Sequence, residues 1–196
     1  MNKKETLLEQ IRADIITNNI GPDLAKTAKN LVMGDGNIDA DIVFVGEAPG
    51  KNEDETGLPF VGASGKFLDE MLLTADIKRS DVYITNIIKY RPPNNRDPLP
   101  EEKKAFWPYL VRQLNVIRPK IVVTLGRHSM EYFLPDNKIS MIHGEPQRIA
   151  FGQNQIVIVP LYHPAAALYN GSLRATLIED FIKLSTIINL LEKEKQ

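Results

Sequence analysis

Four short apolar segments constrain the fold of this chain more than any other feature of it. They are DIVFVGE (41–47), DVYITNI (81–87), KIVVTLG (120–126) and QIVIVPLYH (155–163). Each is rich in valine or isoleucine and almost continuously apolar, which is typical of strands in a parallel sheet covered on both faces. The segments therefore predict a central, mostly parallel, four-stranded sheet.

Helical patterns separate these segments. They predict helices over 4–17, 64–75, 100–116, 127–134 and 172–193. Pro108 is expected to kink or restart the third helix, because proline removes a backbone donor from a helix interior. Strands that alternate with helices predict the α/β class, here a three-layer α/β/α fold, and residues 1–196 are predicted to form a single domain.

Composition excludes several kinds of site. The chain has no cysteine, which rules out disulfides and thiolate-bound metals, and its three histidines show no metal-ligand spacing, so no metal is expected. No apolar run reaches the roughly 18 residues needed to cross a membrane, and the N-terminal MNKKETLLEQ lacks the apolar core of a secretory signal. A cytoplasmic protein with no membrane partner is expected. The net charge of −1 does not point to a polyanion partner.

Unusual polar segments follow three of the predicted strands: GEAPG, TNIIKYRPPNNRDP and YHPAAALYNGS. Ligands of open α/β sheets bind at the carboxyl ends of the strands, so the three segments are predicted to share one cleft. The first belongs to the glycine-rich stretch VGEAPGKNEDETGLPFVG (45–62), which lacks the spacing of a phosphate-binding P-loop. Its carboxylates would also repel a phosphate, so a phosphate site is rejected.

Three side chains in these segments suit a flat, neutral heterocycle. Asn86 presents a donor and an acceptor side by side and can read an amide-like edge. Phe60 offers a face on which a ring can stack. A neutral His163 can donate to a carbonyl oxygen that gains negative charge. The combination fits a pyrimidine better than a phosphate.

Four motifs, in order, carry a family resemblance: GEAPGKNEDETGLPFVG, YITNIIKYRPPNNRDP, IVVTLG and HPAAAL. They resemble the uracil-DNA glycosylase superfamily, and within it the thermophile-type family four, from about Leu24 through Asp180. The resemblance implies excision of uracil from DNA by base flipping, as a monofunctional, metal-independent step of base excision repair.

The resemblance also implies roles for individual residues. Phe60 would stack on the flipped uracil, Asn86 would read its N3 and O4 edge, and His163 would donate to O2 of the leaving base. Glu47 and Ala48 would face the sugar and the attacking water. Some relatives carry an aspartate at the position of Ala48, so here Glu47, another carboxylate or the backbone must orient the water.

Contacts to DNA are expected from two loops. The loop after His163 would press into the minor groove where the base left the stack, while the basic residues of the proline-rich loop either bind phosphates or only solvate that loop. The candidate contact residues are Arg91, Asn94, Arg96, Ala165, Ala166 and Leu168. The expected partner is DNA with uracil or another deaminated base, and the expected state is a monomer.

The sequence departs from family four at the iron–sulfur cluster that the resemblance implies. The four matching cysteine positions read Asn19, Pro22, Tyr90 and Phe106, so no cluster and no other cofactor is expected. The space is predicted to be filled by packing around the two aromatic residues.

Two other functions stay open at this point. One is a glycosylase of the same fold for hypoxanthine or xanthine, and the other is a catalytically silent module that binds DNA or a protein. His128 and His143 are interpreted as ordinary surface or helix-start residues. Glu53 and Asp54 are interpreted as solvated or loop-ordering carboxylates.

Overall fold

A computed structural model describes residues 2–152 and 154–193 of the chain. Its strands form one six-stranded sheet. They are β1 (Asp35–Gly36), β2 (Ile42–Gly46), β3 (Tyr83–Asn86), β4 (Ile121–Leu125), β5 (Gln147–Phe151) and β6 (Asn154–Leu161). Their order across the sheet is β1-β3-β2-β4-β6-β5.

Helices lie on both faces of the sheet and at its edges. They are α1 (Lys3–Thr17), α2 (Pro22–Ala25), α3 (Lys51–Thr56), α4 (Ala63–Thr74), α5 (Pro100–Ile117), α6 (Arg127–Met130), α7 (Ile139–Ile142), α8 (Pro164–Leu168) and α9 (Gly171–Lys193). Single turns of 3-10 helix cover Arg79–Asp81 and Pro93–Asn95.

The predicted α/β class is confirmed, and the four predicted strands form the parallel centre of the sheet as β3-β2-β4-β6. The sheet has six strands rather than four, because β1 and β5 add to its edges in antiparallel orientation. β1 has only two residues, and β5 alternates between partly buried and exposed side chains. Neither carries the continuous apolar run by which a buried strand is recognised.

Two hydrophobic layers hold the sheet between its helices. Side chains of one strand alternate between them: Phe44 of β2 packs into the layer of α4 and α9, while Val43 and Val45 pack into the layer of α1 and α5. The Phe44 ring stacks on Phe181 of α9, with ring centroids 6.1 Å apart. Because both faces of β2 are buried, this strand is apolar at every position.

The sequence predicts a kink or a restart of the helix at Pro108, and the restart does not occur. α5 continues from Pro100 to Ile117 with Pro108 inside it. Pro108 and Lys104, whose carbonyl loses its helical partner to the proline, are both exposed. The carbonyl therefore faces water rather than the core, which lowers the cost of the missing hydrogen bond.

The parallel strands place their carboxyl ends at one edge of the sheet, where the polar segments noted in the sequence come together. Gly46 pairs with Asn86 at the end of β2 and β3, and Leu125 pairs with Leu161 at the end of β4 and β6. Among the described residues, no helix is long and apolar enough to span a bilayer.

Candidate active site

A pocket of about 420 Å³ opens at the carboxyl edge of the sheet. Seven residues singled out in the sequence line it: Glu47, Ala48, Phe60, Asn86, Arg96, His163 and Ala165. Four candidate DNA-contacting residues are not part of this lining: Arg91, Asn94, Ala166 and Leu168. The structure therefore brings the expected base-reading and catalytic side chains into one cavity.

Phe60 is held in an unusual backbone conformation. Its φ of 52° lies in the left-handed region, which is rare for an aromatic residue. A Cβ on Gly65 would lie 1.8 Å from the Phe60 carbonyl oxygen, so the helix that follows can approach this backbone only through a glycine. The Phe60 ring reaches the pocket and is largely buried.

Asn86 closes the inner end of the pocket. It is the last residue of β3 and only 1% exposed, and its side-chain oxygen Oδ1 is buried without a hydrogen-bond partner among the described residues. A Cβ on Gly46 would lie 2.4 Å from this oxygen and 2.7 Å from the Phe60 ring. Gly46 thus leaves the space that both side chains occupy, and an unpaired buried acceptor is costly unless a ligand satisfies it.

The tautomer of His163 is fixed by the helix that follows it. His163 caps α8, and its Nδ1 accepts a hydrogen bond from the backbone N–H of Ala165 at 3.1 Å. Burial lowers the pKa of His163 to about 4, against the opposing effect of the Glu53 carboxylate. The ring is therefore neutral at neutral pH and carries its proton on Nε2, as a donor to a ligand must.

Glu53 ties the glycine-rich segment together. Its Oε1 accepts from the backbone N–H groups of Val61 and Gly62, both at 2.9 Å, and its Oε2 accepts from Gly50 at 3.1 Å. The neighbouring Asp54 is buried and accepts from two backbone N–H groups of the 29–30 segment. Both carboxylates order the loop, as the sequence interpretation expected, although Glu53 also lines the pocket.

Glu47 follows directly after β2 and also lines the pocket. Its Oε1 is buried and has no hydrogen-bond partner among the described residues. Burial, and next the negative charge of Asp97, raises the pKa of Glu47 to about 7. A carboxyl group with this pKa can exchange a proton near neutral pH, as a general base requires.

Sequence reasoning missed the groups around Glu47. His128 Nε2 lies 3.8 Å from Glu47 Oε1 and 3.8 Å from Asp97 Oδ2, and Asn95 and Asp97 line the pocket. His128 does stand in the first turn of α6, as expected, but it is not an ordinary surface residue. One signal could have revealed it, because it follows the carboxyl end of β4 by three residues and so lies at the same edge of the sheet.

The ligand atoms of Glu47, Asp97 and His128 lie within 4.8 Å of one another. The Lys103 ammonium, however, lies 3.3 Å from His128 Nδ1, and the Arg127 guanidinium lies 3.3 Å from His128 Nε2. Two cations therefore already face this imidazole, and they would repel a bound metal ion. We do not assign the cluster to a metal.

The candidate DNA-contacting side chains are partly engaged within the protein. Arg91 Nε donates to Asn95 Oδ1 at 2.7 Å, and Arg96 makes a two-pronged pair with Glu102 at 2.5 and 2.9 Å. In the loop after His163 the most exposed large apolar side chain is Tyr169, at 92%, which the sequence interpretation did not select.

The positions that match the cluster cysteines do not fit an iron–sulfur cluster. Phe106 is fully buried and meets the edge of the Tyr90 ring, with centroids 6.0 Å apart. A Cβ on Gly21, between Asn19 and Pro22, would lie 2.6 Å from the Phe106 ring. Aromatic packing fills this region, and the chain has no thiolate to bind iron.

The family model of the uracil DNA glycosylase superfamily matches residues 33–184. The chain therefore belongs to the uracil DNA glycosylase superfamily.

Within that superfamily, the chain is similar to several type-4 uracil-DNA glycosylases. It is 48% identical over 170 residues to the type-4 uracil-DNA glycosylase of Archaeoglobus fulgidus, covering 84% of this chain and 85% of the relative. It is 49% identical over 161 residues to the type-4 enzyme of Sulfurisphaera tokodaii, covering 79% and 73%. It is 46% identical over 172 residues to that of Saccharolobus solfataricus, covering 85% and 80%.

Proposed function

We propose that this chain is a monofunctional uracil-DNA glycosylase, which hydrolyses the N-glycosidic bond of uracil in DNA without a metal or cofactor. One observation carries the proposal: the unpartnered Oδ1 of Asn86 lies in the same pocket as the neutral imidazole of His163 and the ring of Phe60. Uracil has an N3–H donor for the first, a carbonyl oxygen for the second and a flat face for the third. Membership of the superfamily supports the same substrate.

The chemistry follows from where charge develops. When the glycosidic bond breaks, its electron pair goes to the base and positive charge appears on the sugar. His163 would donate from Nε2 to the base as its negative charge grows, so its contribution belongs to the transition state. Asn86 would hold the N3 and O4 edge, and Phe60 would hold the ring in plane.

Glu47 would act on the sugar side of the same bond. As a carboxylate it stabilises the cationic sugar and accepts a proton from the attacking water. Because the pKa of Glu47 is about 7, the ionised form becomes dominant only above that pH. The rate should therefore rise with pH through about 7 and then level off.

Strand cleavage is not part of the proposal. A glycosylase that cuts the strand needs an amine that forms a Schiff base with the sugar. Among the described residues that line the pocket there is no lysine. The product would be an intact strand with an abasic site.

DNA would be held mainly through its backbone. The residues near phosphates would be Arg91, Asn94 and Arg96. The 165–168 turn would lie in the minor groove, with Ala165, Ala166 and Leu168 as its contact residues. We also propose that the protein acts as a monomer in the cytoplasm and that residues 1–196 form a single domain. The continuous sheet from Asp35 to Leu161 supports the single domain.

The substrate range is testable with oligonucleotides that carry one uracil, hypoxanthine, xanthine or thymine, each single- and double-stranded. The released base is identified by mass spectrometry, and the strand is examined before and after alkali. The proposal predicts free uracil and a break only after alkali. Release of hypoxanthine or xanthine in preference to uracil would support the alternative base choice, and binding without release of any base would support a silent module.

A further inference from the structure

Lys103 is a charged side chain that the proposed mechanism does not use. It lies on α5, it is only 7% exposed, and its ammonium points to an imidazole rather than to a carboxylate: Lys103 Nζ lies 3.3 Å from His128 Nδ1. Burying an ammonium costs free energy, so a role that needs the charge at this place would explain it. The other nitrogen of that imidazole faces Glu47.

The direction of the hydrogen bonds follows from the inventory of donors. An ammonium can only donate, so His128 Nδ1 accepts from Lys103 and the neutral ring carries its proton on Nε2. Arg127 Nε donates to His128 Nε2 at 3.3 Å in this structure. A neutral ring cannot accept at both nitrogens, so this tautomer requires the exposed Arg127 side chain to turn away from Nε2 into water. In that tautomer the Nε2–H would be available to Glu47 Oε1 and Asp97 Oδ2, both 3.8 Å from Nε2.

The charges that face Glu47 are mixed. Asp97 and Glu131 are negative and favour its protonated form, while Lys103 and Arg127 are positive and favour its ionised form. The pKa of His128 is lowered mainly by burial, then by the positive charge of Lys103 and, less strongly, by that of Arg127. The ring is therefore neutral at neutral pH. Lys103 is the buried cation of this set, and its field is screened less by water than that of the exposed Arg127.

We propose that Lys103 and His128 are positioning residues that keep Glu47 ionised and aimed into the pocket. The Lys103 ammonium polarises the imidazole, and the imidazole presents Nε2–H to Glu47 Oε1, a hydrogen bond that stabilises the carboxylate more than the protonated carboxyl group. Ionisation of Glu47 is expected to shorten the 3.8 Å separation to hydrogen-bond length, because hydrogen bonds to a charged acceptor are shorter and stronger. The inference rests on the proposed function, in which the Glu47 carboxylate accepts the proton of the attacking water.

The test is the pH profile of single-turnover uracil release. The wild type should show a rise with a midpoint near 7 and a plateau above it. His128→Leu and Lys103→Met should each move the midpoint up by about one pH unit, so that release at pH 6 falls about tenfold while the plateau stays within about twofold. His128→Gln keeps an amide donor and should restore part of the shift. Lys104→Met, an exposed neighbour on the same helix, should leave the profile unchanged.

The two positions should not act independently. Because part of the effect of Lys103 passes through His128 and part is direct attraction to Glu47, the shift in the Lys103→Met and His128→Leu double variant should be smaller than the sum of the two single shifts. An unchanged midpoint in the single variants, or an equal loss at every pH including the plateau, would overturn the inference and leave the two residues with a merely structural role. A profile that collapses when EDTA is added would also overturn it, in favour of a metal at this cluster.

A second readout does not depend on activity. Carbon-13 labelling of the glutamate side chains, with Glu47 assigned from Glu47→Gln, reports the ionisation of Glu47 directly by NMR. Its midpoint should rise from the wild type to His128→Leu. If the wild type releases no uracil at any pH but this midpoint still moves, the proposed function fails and the coupling stands. If uracil is released and the midpoint does not move, the coupling fails and the function stands.

Discussion

The ring of Phe60 stacks against the imidazole of His163, with ring centroids 5.7 Å apart and planes 29° apart. These side chains are far apart in the chain: Phe60 lies in the loop after α3, and His163 lies between β6 and α8. Their contact joins the surface on which a base would stack to the group that would stabilise it as it leaves. A substitution that removes or displaces the Phe60 ring should therefore also disturb the imidazole of His163.

Phe60→Leu should reduce single-turnover uracil release about 10- to 100-fold. Stacking of a base on an aromatic side chain is worth about 1–3 kcal/mol, and leucine keeps apolar volume but offers no flat face. Phe151→Leu, on the edge strand β5, is the matched control and should not change the rate. Equal rates for Phe60→Leu and Phe151→Leu would mean that Phe60 only packs the core.

Gly46→Ala should leave the fold in place and slow uracil release about 10²-fold. The added methyl group would lie 2.4 Å from Asn86 Oδ1 and 2.7 Å from the Phe60 ring, so both pocket side chains must move. A displacement of about 1 Å in a catalytic site can cost about 10²-fold in rate. Thermal melting by circular dichroism checks the fold, and uracil release checks the site. Wild-type activity in this variant would contradict the described placement of Asn86 and Phe60.

Asn86→Asp should weaken uracil release by about 10²-fold, the order of effect for losing one well-placed donor. The carboxylate cannot donate to uracil O4, but it can accept from the N4 amino group of cytosine, so release of cytosine relative to uracil should rise. Asn115→Asp on α5 serves as the control for the added charge. Unchanged uracil release would show that Asn86 does not read the base.

The region that matches the cluster cysteines should behave as ordinary core. The purified protein should be colourless, and its melting temperature should be the same with and without a chelator. Phe106→Ala should lower the free energy of unfolding by about 3–5 kcal/mol, because the ring is fully buried. Stoichiometric iron together with a visible absorption band would refute the prediction that no cluster is bound.

The sequence predicted the centre of this fold better than its edges. β2, β3, β4 and β6 could be recognised because burial on both faces requires apolar residues at nearly every position. β5 is half exposed and β1 has two residues, so neither leaves such a run. Of the kink or restart predicted at Pro108, the restart does not occur, because the exposed position of Pro108 lets the Lys104 carbonyl, which has lost its helical partner, face water.

The candidate site also contains residues that the sequence predicted and residues that it did not. Phe60, Asn86 and His163 stand in motifs at predicted strand ends, and all three line one pocket. Asp97 stands in the second motif but had no predicted role, whereas Lys103 and His128 lie outside the motifs. Only the placement of α5 and α6 brings Lys103 Nζ and His128 Nδ1 to 3.3 Å. Contacts of this kind depend on helix placement, which local sequence patterns do not specify.

The most direct measurement is single-turnover release of uracil from a DNA duplex by the wild type and by His163→Ala, with binding of the same duplex measured in parallel. The wild type should release free uracil. His163→Ala should do so ~10²–10³ times more slowly, the usual cost of losing one donor to a developing negative charge. Binding should remain nearly equal, because contacts to the DNA backbone dominate affinity. No uracil release by the wild type, or wild-type release by His163→Ala, would contradict the account.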